Sequence, residues 1–439
     1  MNFLSMIPRH LWIAASSWGA RCISAGVQII SVHYLVSILG EEKYSAFILL
    51  SGLVTWCNLS DFGIGNSILN FISERKANKR QYSHLIVVSI LLMLILAVLV
   101  TLLLFFISNI VAETYLKAYS DNLLGNKIEL LFISALIFCG TALAGLIYKI
   151  WYAEHIGWLS NLFPAISALI GLLGIYLVSL LDSQNNSVLE VFSVFFVPAL
   201  VISFVLMCIR FIKEIALIKS LSKTLFLGTS KRIIKRALPF FMFAAMGAVV
   251  LQTDLIVLSQ KGTASEIILY GVLLKIFNVV YFVYSAVLQA WWPVCTELRV
   301  KRKWKELKKN ITLSVSLGAV AISVLTLIIF VLQNYIFSIL GLTEINQGSF
   351  LLFCLFALYF IIRAWCDTYA VILQTMDNMK PLFMIVPFQA VINIVLQWYL
   401  ISELSLVGIV LGSILSFTLT VAIYLPYKFN QLIKQDMYQ

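Results

Sequence analysis

Six ionisable residues, Arg21, Asp61, Asp254, Lys275, Arg363 and Asp367, fall inside long apolar runs. A charge at mid-bilayer costs about 2.5–3.5 kcal/mol on insertion scales, so six of them facing lipid would cost on the order of 15–20 kcal/mol. They must face a wet cavity or one another. Uncharged polar residues accompany them at helical spacing: Ser17, Arg21, Ser24, Gln28 and Ser31 share one face, as do Lys275, Asn278, Ser285 and Gln289. Ser51, Thr55, Asn58 and Asp61 form a third stripe, and Tyr359, Arg363, Asp367 and Gln374 a fourth; Gln389, Asn393 and Gln397 form a fifth, and Gln252 stands beside Asp254. Arg21 and Lys275 lie ~14–15 Å into their helices at 1.5 Å per residue, close to the midplane, which suits a substrate or coupling role. Two alternatives stay open. Arg363 and Asp367 are spaced i,i+4 and could simply neutralise each other, and Asp61 could cap a bend allowed by Gly63 and Gly65.

The elements that must position these residues follow from composition. Of 439 residues 61% are apolar and 12% charged, against roughly 25% charged in a soluble domain. Apolar runs long enough to cross ~30 Å of hydrocarbon as helices recur along the chain, and lipid leaves backbone polar groups no other partner than a helix provides. The fold class expected is all-α: a polytopic membrane protein of twelve spans, near 11–38, 45–71, 85–112, 128–151, 161–181, 188–209, 237–260, 266–293, 311–340, 349–375, 382–400 and 406–425. The first run is too long for a cleaved signal and reads as a retained helix. Of 31 Lys and Arg residues, 24 fall on one side of this arrangement, four (Lys43, Lys117, Lys127 and Lys261) on the other, and three within spans. The positive-inside rule then places both termini in the cytoplasm. Basic loops such as 299–309 meet anionic head groups, and no soluble domain exists to present the charge of +11 to nucleic acid. Trp151, Trp158, Trp291, Trp292 and Trp304 fit an interfacial belt, and Gly408 and Gly412 a close helix packing.

A basic stretch at 211–236 divides the chain into an N-terminal six-helix lobe (1–210) and a C-terminal one (237–439). The second half weakly repeats the first: LGEEKY at 39–44 matches Lys261, Gly262, Thr263 and Glu266 with Tyr270, and a basic run follows at Arg75 and again at Arg299. Two halves of like orientation are a transporter arrangement with substrate between them, here a cavity lined by spans one, two, seven and eight, with ten and eleven behind. Seven scattered cysteines and four unclustered histidines give no metal-ligand spacing, and no phosphate-binding GxxxxGK[ST] loop occurs. Neither a cofactor nor enzymatic activity is expected.

At these residues the chain resembles the bacterial O-antigen flippases (Wzx type) of the multidrug/oligosaccharidyl-lipid/polysaccharide exporter superfamily. The stretches that carry the likeness are LGEEKY at 39–44, SDFGIGNS at 60–67, ISER at 72–75, YAEHIG at 152–157, RALPF at 236–240 and QTD at 252–254. YSAV at 284–287, WPVC at 292–295, RAWCDT at 363–368 and Lys380-Pro381 continue it, so it covers nearly the whole chain. The resemblance implies translocation of undecaprenyl-pyrophosphate-linked O-antigen units to the periplasmic leaflet by two six-helix lobes around a cationic cavity. Arg21, Lys275 and Arg363 would meet the phosphates; Gln28, Asn278, Gln289 and Gln374 would meet the sugars. Asp61, Asp254 and Asp367 would serve as coupling or cavity acids. Membrane lipids and other O-antigen assembly proteins are the further partners expected, and the inner membrane the location. A multidrug exporter of the same superfamily would share the fold around a more acidic cavity. A glycan polymerase or ligase would need a large periplasmic loop, and the longest expected one spans only 113–127.

Overall fold

A computed structural model describes residues 9–154, 156–181, 186–216, 222–300, 302–342, 348–375 and 380–437. Among them every regular element is helical. In chain order these are α1 (Arg9–Cys57), α2 (Ile64–Ala77), α3 (Ser83–Tyr115), α4 (Asp121–Leu124), α5 (Lys127–Ala144), α6 (Leu146–Ala153), α7 (Gly157–Leu180) and α8 (Val188–Glu214). Then follow α9 (Lys223–Lys261), α10 (Ala264–Val300), α11 (Trp304–Val331), α12 (Gln333–Ile339), α13 (Phe350–Thr375), α14 (Lys380–Leu419) and α15 (Val421–Met437). Nine helices among the described residues are long and apolar enough to cross a membrane. Two long helices are broken internally: α1 at Gly40 (φ 70°, ψ 170°) and α14 at Ser405 (φ 54°, ψ −134°). The first break uses backbone space that glycine enters freely and side chains rarely do, and it falls where the sequence separates the first two expected spans.

Helix ends are finished by the residues that border them. Asn126 Oδ1 accepts from the amides of Ile128 and Glu129 at the start of α5. Ser187 and Glu190 cap each other's amides at the start of α8, satisfying donors that a helix start leaves open. Large apolar side chains face outward along the spans; on α3, Phe105 and Phe106 are 67% and 73% exposed. Such surface belongs in hydrocarbon, and the chain is a multi-pass membrane protein.

The described chain forms two compact units, Met1–Ala248 and Val249–Gln439. In the first, α1 packs on α7, α7 on α8, and α5 on both α3 and α8. Tyr44, Phe47, Phe138 and Phe192 are buried at its centre. Without a hydrophobic drive between helices in lipid, packing depends on close approach. Gly171 illustrates it: a Cβ there would lie 2.3 Å from the Phe195 carbonyl oxygen. In the second unit α13 packs on α10, α11 and α14, around stacked Phe277, Phe356 and Phe360. The pair Gly408 and Gly412 does what its spacing suggests. Their Cβ positions would fall 2.2 Å from Leu400 O and 2.8 Å from Gln397 Cγ, so the two limbs of α14 lie against each other beyond the Ser405 break.

The start of α9 is built into the first unit. Ile233 and Ala237 are buried among Ile64, Ile68 and Ile72 of α2. The Ser67 hydroxyl donates to the Ile233 carbonyl at 3.0 Å. Arg236 places its two terminal nitrogens on the two Glu74 oxygens at 2.9 and 2.5 Å, with its guanidinium 4.6 Å from the centre of the Phe71 ring. Phe62 and Phe241 stack at 5.1 Å.

Candidate functional site

The chain's intramembrane charges come together most clearly in the second unit. Asp254, on α9, is buried. One of its oxygens accepts from the Leu255 amide at 3.1 Å, and the other accepts from the Tyr270 hydroxyl of α10. On α13 Arg363 and Asp367 stand one turn apart, with Arg363 Nε 3.8 Å from Asp367 Oδ2. A close charge-assisted pair sits at about 2.7–2.9 Å, so this one is held open. Asp367 Oδ2 accepts instead from the Tyr281 hydroxyl of α10, while the Arg363 guanidinium lies 4.6 Å from the centre of that same Tyr281 ring and 5.8 Å from that of Phe360. One turn further along, the Tyr284 hydroxyl and Thr368 Oγ1 are 2.6 Å apart. Two acids and an arginine on α9 and α13 are thus spaced by tyrosine hydroxyls from α10. Lys275 lies half-buried on α10, and Asn278 is exposed one turn later.

Other expected site residues are placed differently. In the first unit Gln28 is exposed on α1. Asp61 accepts from the amides of Gly63 at 2.8 Å and Gly65 at 3.3 Å, capping the turn into α2. Next to that turn Lys149 donates to Asn66 Oδ1 at 3.0 Å. The side chains of Arg21, Gln289 and Gln374 lie outside the described residues. In the stripe on α14, Asn393 and Gln397 are fully buried and committed to the fold. Gln397 donates to Ser413 at 2.8 Å, Ser416 donates to Asn393 at 3.1 Å, and Asn393 donates to the Val250 carbonyl at 3.3 Å. These polar groups tie helices together within the membrane and are not available to a sugar.

What sequence reasoning missed are the tyrosines. Tyr281 and Tyr270 are buried, and their rings pass for apolar positions on α10 although their hydroxyls set the geometry of both acids. The signal lay in spacing: Tyr281 and Tyr284 follow Asn278 at steps of three along the α10 polar stripe. Among the described residues no group of three His, Cys, Asp or Glu side chains is arranged to hold a metal ion.

No protein-family model matches the chain. It is 40% identical to a Salmonella typhi protein named an O-antigen transporter, over 98% of this chain and 99% of that one. It is 36% identical to a Yersinia pseudotuberculosis protein named an O-antigen export protein, over 97% of both. In fold it is similar to the inward-facing form of a multidrug transporter of the MATE family and MOP superfamily (TM-score 0.73, 14% identity, 96% of this chain and 99% of that one). It is also similar to the lipid II flippase MurJ in an inward closed form (TM-score 0.72, 14% identity, 96% of this chain and 87% of that one). Those solved structures carry the fold alone, whereas the two near-full-length relatives carry the family: the chain belongs to the O-antigen transporters.

Proposed function

We propose that the protein is a flippase that carries undecaprenyl-pyrophosphate-linked O-antigen oligosaccharide from the cytoplasmic to the periplasmic leaflet of the bacterial inner membrane. The observation that carries this reading is a pair of cations, Arg363 and Lys275, half-buried on the adjacent helices α13 and α10, in a chain so similar to O-antigen transporters. A pyrophosphate entering a low-dielectric span needs cations to offset its charge, while its polyprenyl tail stays in lipid. Arg363, Lys275 and Arg21 would receive the phosphates. Gln28, Asn278, Gln289 and Gln374 would meet the sugar, and Asp254 and Asp367, with Asp61, would set the charge balance or couple an ion gradient. The transport cycle needs no enzymatic step. The breaks at Gly40 and Ser405, together with α10, support twelve spans, divided at 211–236 into lobes 1–210 and 237–439.

The test is surface O-antigen, read as a gel ladder in a flippase-null strain with membrane abundance followed in parallel. Arg21→Ala and Lys275→Ala should reach the membrane at near wild-type levels and lose the ladder. Arg21→Lys should keep part of it, because a point charge replaces a planar fork without removing the cation. Normal ladders from both alanine variants would overturn the roles assigned here.

The orientation has its own test. Reporter fusions after residues 80, 225 and 305 should read cytoplasmic, and fusions near 120, 185 and 345 periplasmic. Inverted readings at two of these sites would overturn the arrangement, which rests on the 24-to-four division of Lys and Arg residues.

A further inference from the structure

We infer that Tyr281 is a positioning residue that keeps Arg363 available to an anionic substrate: its ring supports the guanidinium while its hydroxyl holds back the Asp367 carboxylate. This rests on the reading of Arg363 as a phosphate-binding cation.

An arginine and an aspartate at i,i+4 on one helix ordinarily close on each other, and a closed pair leaves little positive field for a third party. Here the approach is 3.8 Å, from Nε rather than through a two-pronged contact. The oxygen nearest Arg363, Asp367 Oδ2, is the one that accepts from the Tyr281 hydroxyl. The same residue offers its ring to the guanidinium at 4.6 Å, a geometry in which the ring's negative face stabilises the cation without neutralising it. One side chain of α10 therefore acts on both members of the α13 pair.

Tyr281 can do this because it is itself braced. It is buried between Phe360, whose ring centre is 5.7 Å away, and Tyr284, at 6.1 Å. Tyr284 is fixed in turn by Thr368 at 2.6 Å and by Gly318 of α11, where a Cβ would lie 2.5 Å from its ring. Asp367 is turned outward, its side chain 44% exposed against 18% for Arg363. Releasing the hydroxyl contact would let that carboxylate swing back and close the pair.

The experiment measures equilibrium binding of a fluorescent polyprenyl-pyrophosphate-linked oligosaccharide to the purified full chain in detergent, so that it requires no turnover. Tyr281→Phe, which keeps the ring and loses the hydroxyl, should weaken binding by about tenfold. Adding Asp367→Asn should return the affinity to that of Asp367→Asn alone, since the trap is gone while the ring remains. Tyr281→Leu should stay weak in both backgrounds. Tyr281→Phe binding like wild type, or a Tyr281→Phe defect in binding or accumulation that Asp367→Asn does not relieve, would overturn the inference and reduce Tyr281 to packing. Arg363→Ala separates the two levels: if it binds like wild type, the underlying reading of Arg363 fails, and if it loses binding while Tyr281→Phe does not, only the positioning role fails.

Discussion

Gly63→Ala should reduce membrane-integrated protein to below about a tenth of the wild-type level, a loss equivalent to roughly 1.4 kcal/mol or more. Two costs combine at this position. Its backbone is left-handed, with φ 75°, which charges a non-glycine residue about 1–3 kcal/mol. A Cβ would also lie 2.5 Å from the Ala237 carbonyl oxygen and 2.8 Å from the Phe241 amide nitrogen. Both are backbone atoms of α9 and cannot rotate aside. Relief would require moving the helix that Ser67 and Arg236 hold against α2. Gly65→Ala is the contrast, because its nearest neighbour is the tip of the Asp61 side chain at 2.9 Å, which can shift, so abundance should fall only modestly. Immunoblots of membrane fractions measure both, and wild-type abundance of Gly63→Ala would refute the close-approach argument.

The second large effect separates two ion pairs that look alike on paper. Exchanging Glu74 and Arg236 (Glu74→Arg with Arg236→Glu) should preserve the ladder. Their side chains are 55% and 33% exposed, and a surface pair is worth about 0–1 kcal/mol in either direction. Exchanging Arg363 and Asp367 (Arg363→Asp with Asp367→Arg) should leave normal protein and no ladder. A carboxylate at 363 would face the negative ring of Tyr281, an arginine at 367 would meet the tyrosine's donating hydroxyl, and the substrate's cation would have moved by one turn. A restored ladder would show that the pair serves only to neutralise itself. The comparison is sound at neutral pH. The Glu74 carboxyl, hydrogen-bonded by Arg236, is held below its ordinary range, so that pair is fully charged there and its contribution is lost only as pH falls through the lowered value.

The architecture was legible because lipid leaves a chain few options. Apolar runs of spanning length announce helices, and Gly40, between two of them, announces the sharp turn found there. The charges of the site were equally visible, because a charge in such a run has no innocent explanation. Their partners were not. Periodicity groups Gln389, Asn393 and Gln397 on one face but cannot say that Ser413 and Ser416 will fold back onto it across the Ser405 break. Tyr281 escaped because a ring satisfies an apolar pattern while its hydroxyl does other work. The start of α9 escaped for the opposite reason. Ile233 and Ala237 are buried four residues apart, but Lys231, Arg232, Lys235 and Arg236 stand around them, and so basic a stretch reads as a connector. Several stretches that carry the family likeness turn out to be clamps at helix ends. Glu154 of the YAEHIG stretch receives Arg210 at 2.7 Å, and its carbonyl accepts from Lys76 at 2.5 Å.

The four lysines opposite the basic face bear on how cargo would leave. Lys43 donates to the Asn186 carbonyl at 3.3 Å, and Lys127 pairs with Asp121 at 3.4 Å. Lys261 rests over the Trp398 ring at 4.5 Å while donating to the Trp398 carbonyl and to Ser402. Three of the four are thus tethered to their own chain, one of them, Lys127, by a carboxylate. On the proposed orientation, a diphosphate drawn in from a face with 24 lysines and arginines would emerge at one with four, three of them tethered in place. Capture and release would then differ in electrostatic strength before any gradient is applied, and raising ionic strength should weaken loading more than unloading.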